Sequence, residues 1–175
     1  MQKRSLPRTG SVRRGAVIDS TGKYRYGLER EWETGEGTLL VVMLNPSKAD
    51  DKKDDPTIRK CMTWARKWGF RCLEVVNVFA YRDPDANILR TVDDPVGPEN
   101  DSYLEVAAAR ASKIVVAWGS RHHHRRRIQH VLDLLRKRGE LWCVGTTTGG
   151  FPKHPLYLRN DATLLPFSGS PDDGT

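Results

Sequence analysis

Cysteine is scarce in this chain of 175 residues: Cys61, Cys72 and Cys143 are an odd number with no Cys-x-x-Cys spacing. They offer no disulfide framework and read as reduced thiols in a cytoplasmic protein, with Cys72 and Cys143 expected in the core beside apolar strand residues. Long apolar runs are missing as well. No stretch approaches the roughly 20 apolar residues needed to cross a bilayer, so no membrane association is expected. The N-terminal MQKRSLPRTGSVRRG has basic residues but no apolar run behind them, unlike a secretory signal. Acidic residues are in deficit, 22 Asp and Glu against 29 Lys and Arg, for a formal net charge of +7. That excess favours a polyanionic partner, although net charge speaks to association and not to fold. No internal repeat is visible.

What is present is an alternation. Residues 1–15 are polar, rich in Arg and Ser, and expected to be mobile; residues 16–33 read as a hairpin with a Thr21-Gly22 turn. Four apolar runs follow: TLLVVML (38–44), LEVVNVFAY (73–81), KIVVAW (113–118) and LWCVG (141–145). Uninterrupted runs of this kind suit strands buried on both faces. Between them lie three helical patterns. Residues 56–68 open behind Asp54-Asp55-Pro56 and place Ile58, Cys61, Met62, Ala65 and Trp68 on one side; residues 99–111 and 123–138 are the others. The expected fold is three-layer α/β: a mainly parallel four-stranded sheet flanked by helices, with an N-terminal hairpin. One domain over 16–167 and a disordered tail over 168–175 complete the plan.

In an open parallel sheet, ligands bind beyond the carboxyl ends of the strands, and the unusual residues fall there. The first run leads into Asn45-Pro46-Ser47-Lys48-Ala49-Asp50, the second contains Asn77, the third ends in Trp118-Gly119-Ser120, and the fourth leads to Lys153-His154-Pro155-Leu156-Tyr157-Leu158. Taken singly, Asn45-Pro46 reads as a turn and His154 as a surface histidine. Asn77 in an apolar strand is a buried amide that needs partners. Their succession along one sheet edge is what makes an active-site layout.

The order of these motifs resembles the uracil-DNA glycosylase superfamily over about residues 38–167, and within it a short bacterial and phage branch of domains of unknown function that share the Leu-Asn-Pro-Ser opening. The resemblance implies that Asn45 and Pro46 position the attacking water, that Asn77 reads the base edge, and that Trp118-Gly119-Ser120 matches a third-strand segment. It also implies that His154 meets the leaving base and that Leu156 or Tyr157 is a wedge. Pro46, Ser47, Asn77, Phe79 and Ser120 then make up the substrate pocket. Asn45 replaces the aspartate of the most active enzymes, which points to one of Asp50, Asp51, Asp54 and Asp55 as the source of water activation. Asp50 is the first choice, with helix capping and loop solvation expected of the others. The iron–sulfur branches use four cysteines, so no cofactor and no metal are expected.

The chemistry implied is base flipping followed by hydrolysis of the N-glycosidic bond to leave an abasic site. His154 would stabilise charge on the departing base, and apolar wedges fill duplex gaps in other DNA binders. The run Arg121-His122-His123-His124-Arg125-Arg126-Arg127 is read at a helix start beside the rim, where basic side chains and helix N-termini favour phosphate. In a helix the three histidines point about 100° apart and do not converge on one metal. Lys48, Arg121, Arg125, Arg126 and Lys153, with Leu156 and Tyr157, are the expected DNA contacts of a monomer. Uracil-specific relatives carry a bulky residue where Ser47 stands, so the small Ser47 implies a 5-substituted or otherwise modified pyrimidine, including glucosylated bases of phage type, and a role in antiviral defence. Three alternatives stay open: a non-catalytic reader of modified or single-stranded DNA, which Asn45 favours; a hydrolase of free nucleotides; and a plain interaction module.

Overall fold

The computed structural model describes residues 10–120 and 122–169, the side chain of His122 excepted. The four apolar runs form β3 (Thr38–Met43), β4 (Cys72–Asn77), β5 (Lys113–Val116) and β6 (Leu141–Cys143), parallel and ordered β4-β3-β5-β6. They are apolar at consecutive positions because both faces are covered. Leu39, Val41 and Met43 pack with Ile58, Cys61, Met62 and Ala65 of α1 (Pro56–Lys67). Leu40 and Val42 pack on the opposite face with α2 (Asn100–Arg110) and α3 (Arg125–Arg136).

The chain passes from β3 through α1 to one side, then crosses back over β3 through α2 to reach β5. Crossovers share one hand, so this reversal is what puts α1 on one face and α2 and α3 on the other. It also leaves a crevice beyond the carboxyl ends of β3 and β5, where ligands collect in such sheets.

The sheet is larger and less parallel than the sequence predicts. Among the described residues it has seven strands in the order β1-β2-β4-β3-β5-β6-β7. The hairpin of β1 (Arg13–Ile18) and β2 (Arg25–Glu31) joins the edge of β4 antiparallel, and β7 (Leu165–Pro166) joins β6 antiparallel. Both additions cover an edge that four strands alone leave unpaired. β1 begins at Arg13, earlier than residue 16, because its first turns are held by charge and not by apolar alternation: Arg13 pairs with Glu29 and Glu31 across the hairpin. Residues 1–9 and 170–175, expected to be mobile, lie outside the described residues.

Two local features shape the site. Val17 pairs with Gly27 while Ile18 pairs with Arg25, so Tyr26 is an extra, bulged residue in β2. The bulge sends the Tyr26 ring onto Tyr103 of α2 (centroids 5.1 Å apart) and the Arg25 side chain to the α1 face, against Ala49. The second feature is at α3. His122–His124 form a separate 3₁₀ turn and the α-helix starts at Arg125, later than the expected residue 123. His124 packs edge-on against Phe79, 4.7 Å between centroids.

Candidate active site

Beyond the end of β3 lies a cavity of about 270 Å³ whose wall includes Asn45, Ser47, Asp55, Asp83, His154 and Leu156. An adjoining pocket of about 60 Å³ shares Asn45, Ser47, Asp55, Thr57 and His154 and adds Arg25, Met43, Pro46 and Ile58. A larger hollow of about 390 Å³ around Arg13, Trp32 and Arg71 sits at the amino ends of the parallel strands and is open to solvent. It gathers none of these groups, and the strand ends are the better guide.

Asn45 is oriented by backbone. Its Nδ2 donates to the carbonyl of Asp83 at 2.9 Å, with those of Pro46 and Tyr81 at 3.3 and 3.4 Å. This fixes the amide, and Oδ1 is the acceptor that remains for the cavity. Pro46 is buried behind it and Ser47 is half-buried in the wall.

His154 arrives from the other side of the crevice. Gly119 N–H donates to the Pro152 carbonyl at 2.8 Å and Lys153 N–H to the Gly145 carbonyl at 2.9 Å, which ties the segment after β5 to the segment after β6. Gly119 takes a left-handed φ of 74°, a conformation that favours glycine. His154 caps the short 3₁₀ turn Pro155–Tyr157, its Nδ1 accepting the Leu156 N–H at 3.2 Å. An accepting Nδ1 carries no proton, so the ring is the neutral tautomer with its proton on Nε2. Leu156, 40% exposed, projects from this turn at the cavity wall, and the next residue, Tyr157, is 87% exposed.

The acids separate by geometry. Asp50 lines neither pocket: its carboxylate accepts the N–H groups of Lys52 and Lys53, each at 2.8 Å, and these bonds hold it below the usual carboxylate range. Asp54 is half-buried. Burial alone would push it up, but bonds from Arg14 and the fully buried Arg30 outweigh that and hold it low. Asp55 caps α1 by accepting the Ile58 N–H at 2.9 Å and also lines both pockets, as no other acid does.

Other expected site residues lie elsewhere. Asn77 is 1% exposed and stands in register with Met43, a wall residue, without itself lining the cavity; its side-chain amide has no hydrogen-bond partner among the described residues. Its main-chain carbonyl accepts from the buried Asn100, which pins the start of α2 to the end of β4. Phe79 is in the core under α2 and α3. Ser120, Lys48, Lys153 and Arg126 are exposed and Arg125 is half-buried. Arg127 is structural, its Nε donating to the Val78 carbonyl at 2.9 Å and its guanidinium 2.7 Å from Asp101. Arg121 lies outside the described residues. The sequence reading missed Arg25 and Asp83. Arg25 stands in an alternating hairpin that reads as solvated, and only the bulge turns it inward.

Searches of curated proteins and of solved structures return no match to this chain. Residues 25–156, which run from the bulged β2 to the leucine of the cavity wall, match the family described as protein of unknown function DUF1643, and the chain belongs to that family.

Proposed function

We propose that the protein is a monofunctional DNA glycosylase that flips a modified pyrimidine into this crevice and hydrolyses its N-glycosidic bond. One observation carries the reading. A fixed acceptor (Asn45 Oδ1), a carboxylate (Asp55) and a neutral imidazole with its proton on Nε2 (His154) surround one cavity, which the exposed Leu156 also lines, with the exposed Tyr157 next to it in the chain. Departure of a base needs a donor where negative charge develops, which suits His154. Attack on the sugar carbon needs a held water, which suits Asn45 with Asp55 in place of Asp50. This exposed pair suits a wedge that fills the vacated stack. Lys48, Lys153, Arg125 and Arg126 then contact phosphate.

Ser47 bears on the substrate. It lines both pockets beside Asn45, and its small side chain leaves room for a 5-substituent on the base. A role in antiviral defence follows if that substituent is of phage type. The direct experiment incubates the protein with genomic DNAs of different natural modification and identifies released bases by mass spectrometry, with alkali-sensitive nicking as the second readout. A released base with matching abasic sites is expected; binding without release identifies a non-catalytic reader, which Asn45 in place of aspartate favours. Ser47→Tyr is expected to abolish release of bulky 5-substituted pyrimidines and to spare unsubstituted ones, since packed interiors do not yield room for a ring. Full activity of that variant on the bulky base would remove Ser47 from the specificity argument.

A further inference from the structure

Buried charges are ordinarily paired. Arg25 is 2% exposed, yet among the described residues it forms no ion pair. Its one side-chain hydrogen bond runs from a terminal nitrogen to the Ala49 carbonyl at 2.8 Å, and its Nε has no partner. Burial pushes the guanidinium down to about 10, so at neutral pH it keeps its charge. Asp55 is the acid that most offsets it, but it acts at a distance: it forms no ion pair with Arg25, and its carboxylate accepts the Ile58 N–H. Arg25 lines the smaller, inner pocket together with the groups assigned to the chemistry, Asn45 and His154.

We infer that Arg25 is a catalytic residue that binds the leaving pyrimidine as its anion, making the inner pocket a subsite for an anionic base. The inference rests on the glycosylase reading. The C–N bond breaks with its electron pair going to the base nitrogen. The base leaves as an anion held by Arg25 and the His154 Nε2–H, while water bonds to the sugar carbon and releases its proton to Asp55 or solvent. Before the bond breaks the base is neutral and gains little from Arg25; after it breaks, Arg25 has the counter-charge that its burial lacks. Only such an interaction, stronger in the transition state than in the ground state, accelerates the step. The adjacent acid Asp55 disfavours a dianion, so a singly charged base fits better than phosphate.

The test measures binding of two free pyrimidines to the intact protein at pH 7: uracil, which is neutral, and 5-nitrouracil, which is largely anionic there. Inorganic phosphate is the third probe. Wild type is expected to prefer 5-nitrouracil, Arg25→Gln to lose that preference on the order of 10- to 100-fold, and Arg25→Lys to keep part of it. Should Arg25→Gln melt early, the wild-type preference and the lysine variant decide. Equal binding of the two pyrimidines by wild type, an undiminished preference in Arg25→Gln, or phosphate binding as tightly as 5-nitrouracil would overturn the inference. A parallel assay of base release keeps the two readings apart. Release without anion preference removes Arg25 and leaves the glycosylase; anion preference without release from any DNA leaves the anion subsite but removes the glycosylase and, with it, the catalytic role of Arg25.

Discussion

At the scale of single residues, the proposed function asks the same side chains to hold the structure and to react. His154 does both: its Nδ1 receives a backbone N–H, and that bond is what puts the proton on Nε2. His154→Ala is expected to lower single-turnover base release on the order of 10²–10³ while DNA affinity changes little, because one donor to a developing charge is lost; an unchanged rate in a folded variant would remove the role. Asp55 has two duties that one pair of substitutions can split. Asparagine caps helices about as well as aspartate, whereas alanine at an N-cap costs about 1 kcal/mol. Asp55→Asn should therefore keep the cap, give up only the charge that offsets the buried Arg25, and lose most of its rate, and Asp55→Ala should lose rate and still more stability. Equal rates for Asp55→Asn and wild type would leave Asp55 a cap only. These residues differ in how legible they are. Asn45, Ser47 and His154 stand out because they follow apolar runs whose ends must meet at one sheet edge. Choosing Asp55 over Asp50 was beyond the sequence, because both are aspartates in one short loop and only the path of that loop decides which faces the cavity.

At the scale of elements, α1 is legible because its signals agree: an acidic cap, proline at the first turn, and apolar residues at helical spacing that reappear buried. β7 is not, because it is two residues long and contains a proline, and its strand identity exists only by pairing with β6. The same holds for Arg25, whose burial depends on a bulge that forms when β2 pairs with β1. The basic run that leads into α3 divides in a way that charge counting misses. Arg127 clasps β4 and α2, whose Asp101 also meets His130 at 2.9 Å, while Arg126 faces solvent. The double variant Arg125→Ala with Arg126→Ala should weaken DNA binding alike for all sequences and flatten the slope of log affinity against log salt. Arg127→Ala should instead lower stability by about 1–3 kcal/mol, since it strips partners from buried polar groups, and leave that slope alone. A salt slope that responds to Arg127 and not to the other two would reverse the assignment.

Across the whole molecule, elements from different parts of the chain are tied together on each face of the sheet by an ionised aspartate. On the α1 face, Arg30 lashes the loop 50–54 to β2 by donating to the carbonyls of Asp50 and Lys53 while binding Asp54. On the opposite face of the sheet, Asp101 joins α2 to α3 through Arg127 and His130. At both aspartates burial pushes the pKa up, and the cationic partners outweigh it and bring the value below the ordinary 3.8. A carboxyl lowered in the folded state binds fewer protons there than in the unfolded chain, so stability rises with pH through this range. The contribution is complete above the ordinary aspartate value and is lost as pH falls through the folded one. Denaturant midpoints measured from neutral to strongly acidic pH should therefore fall for wild type below the ordinary aspartate range. Asp54→Asn should start lower at neutral pH, because Arg30 is then buried without its anion, and should fall less steeply in acid. Asp101→Asn should behave likewise, and the double variant should flatten the curve further, roughly by the sum of the two, since the pairs lie on different elements and share no partner. An acid slope identical in wild type and both variants would mean that these pairs join the elements in geometry but not in energy, and the acid sensitivity would then have to be sought in other carboxylates.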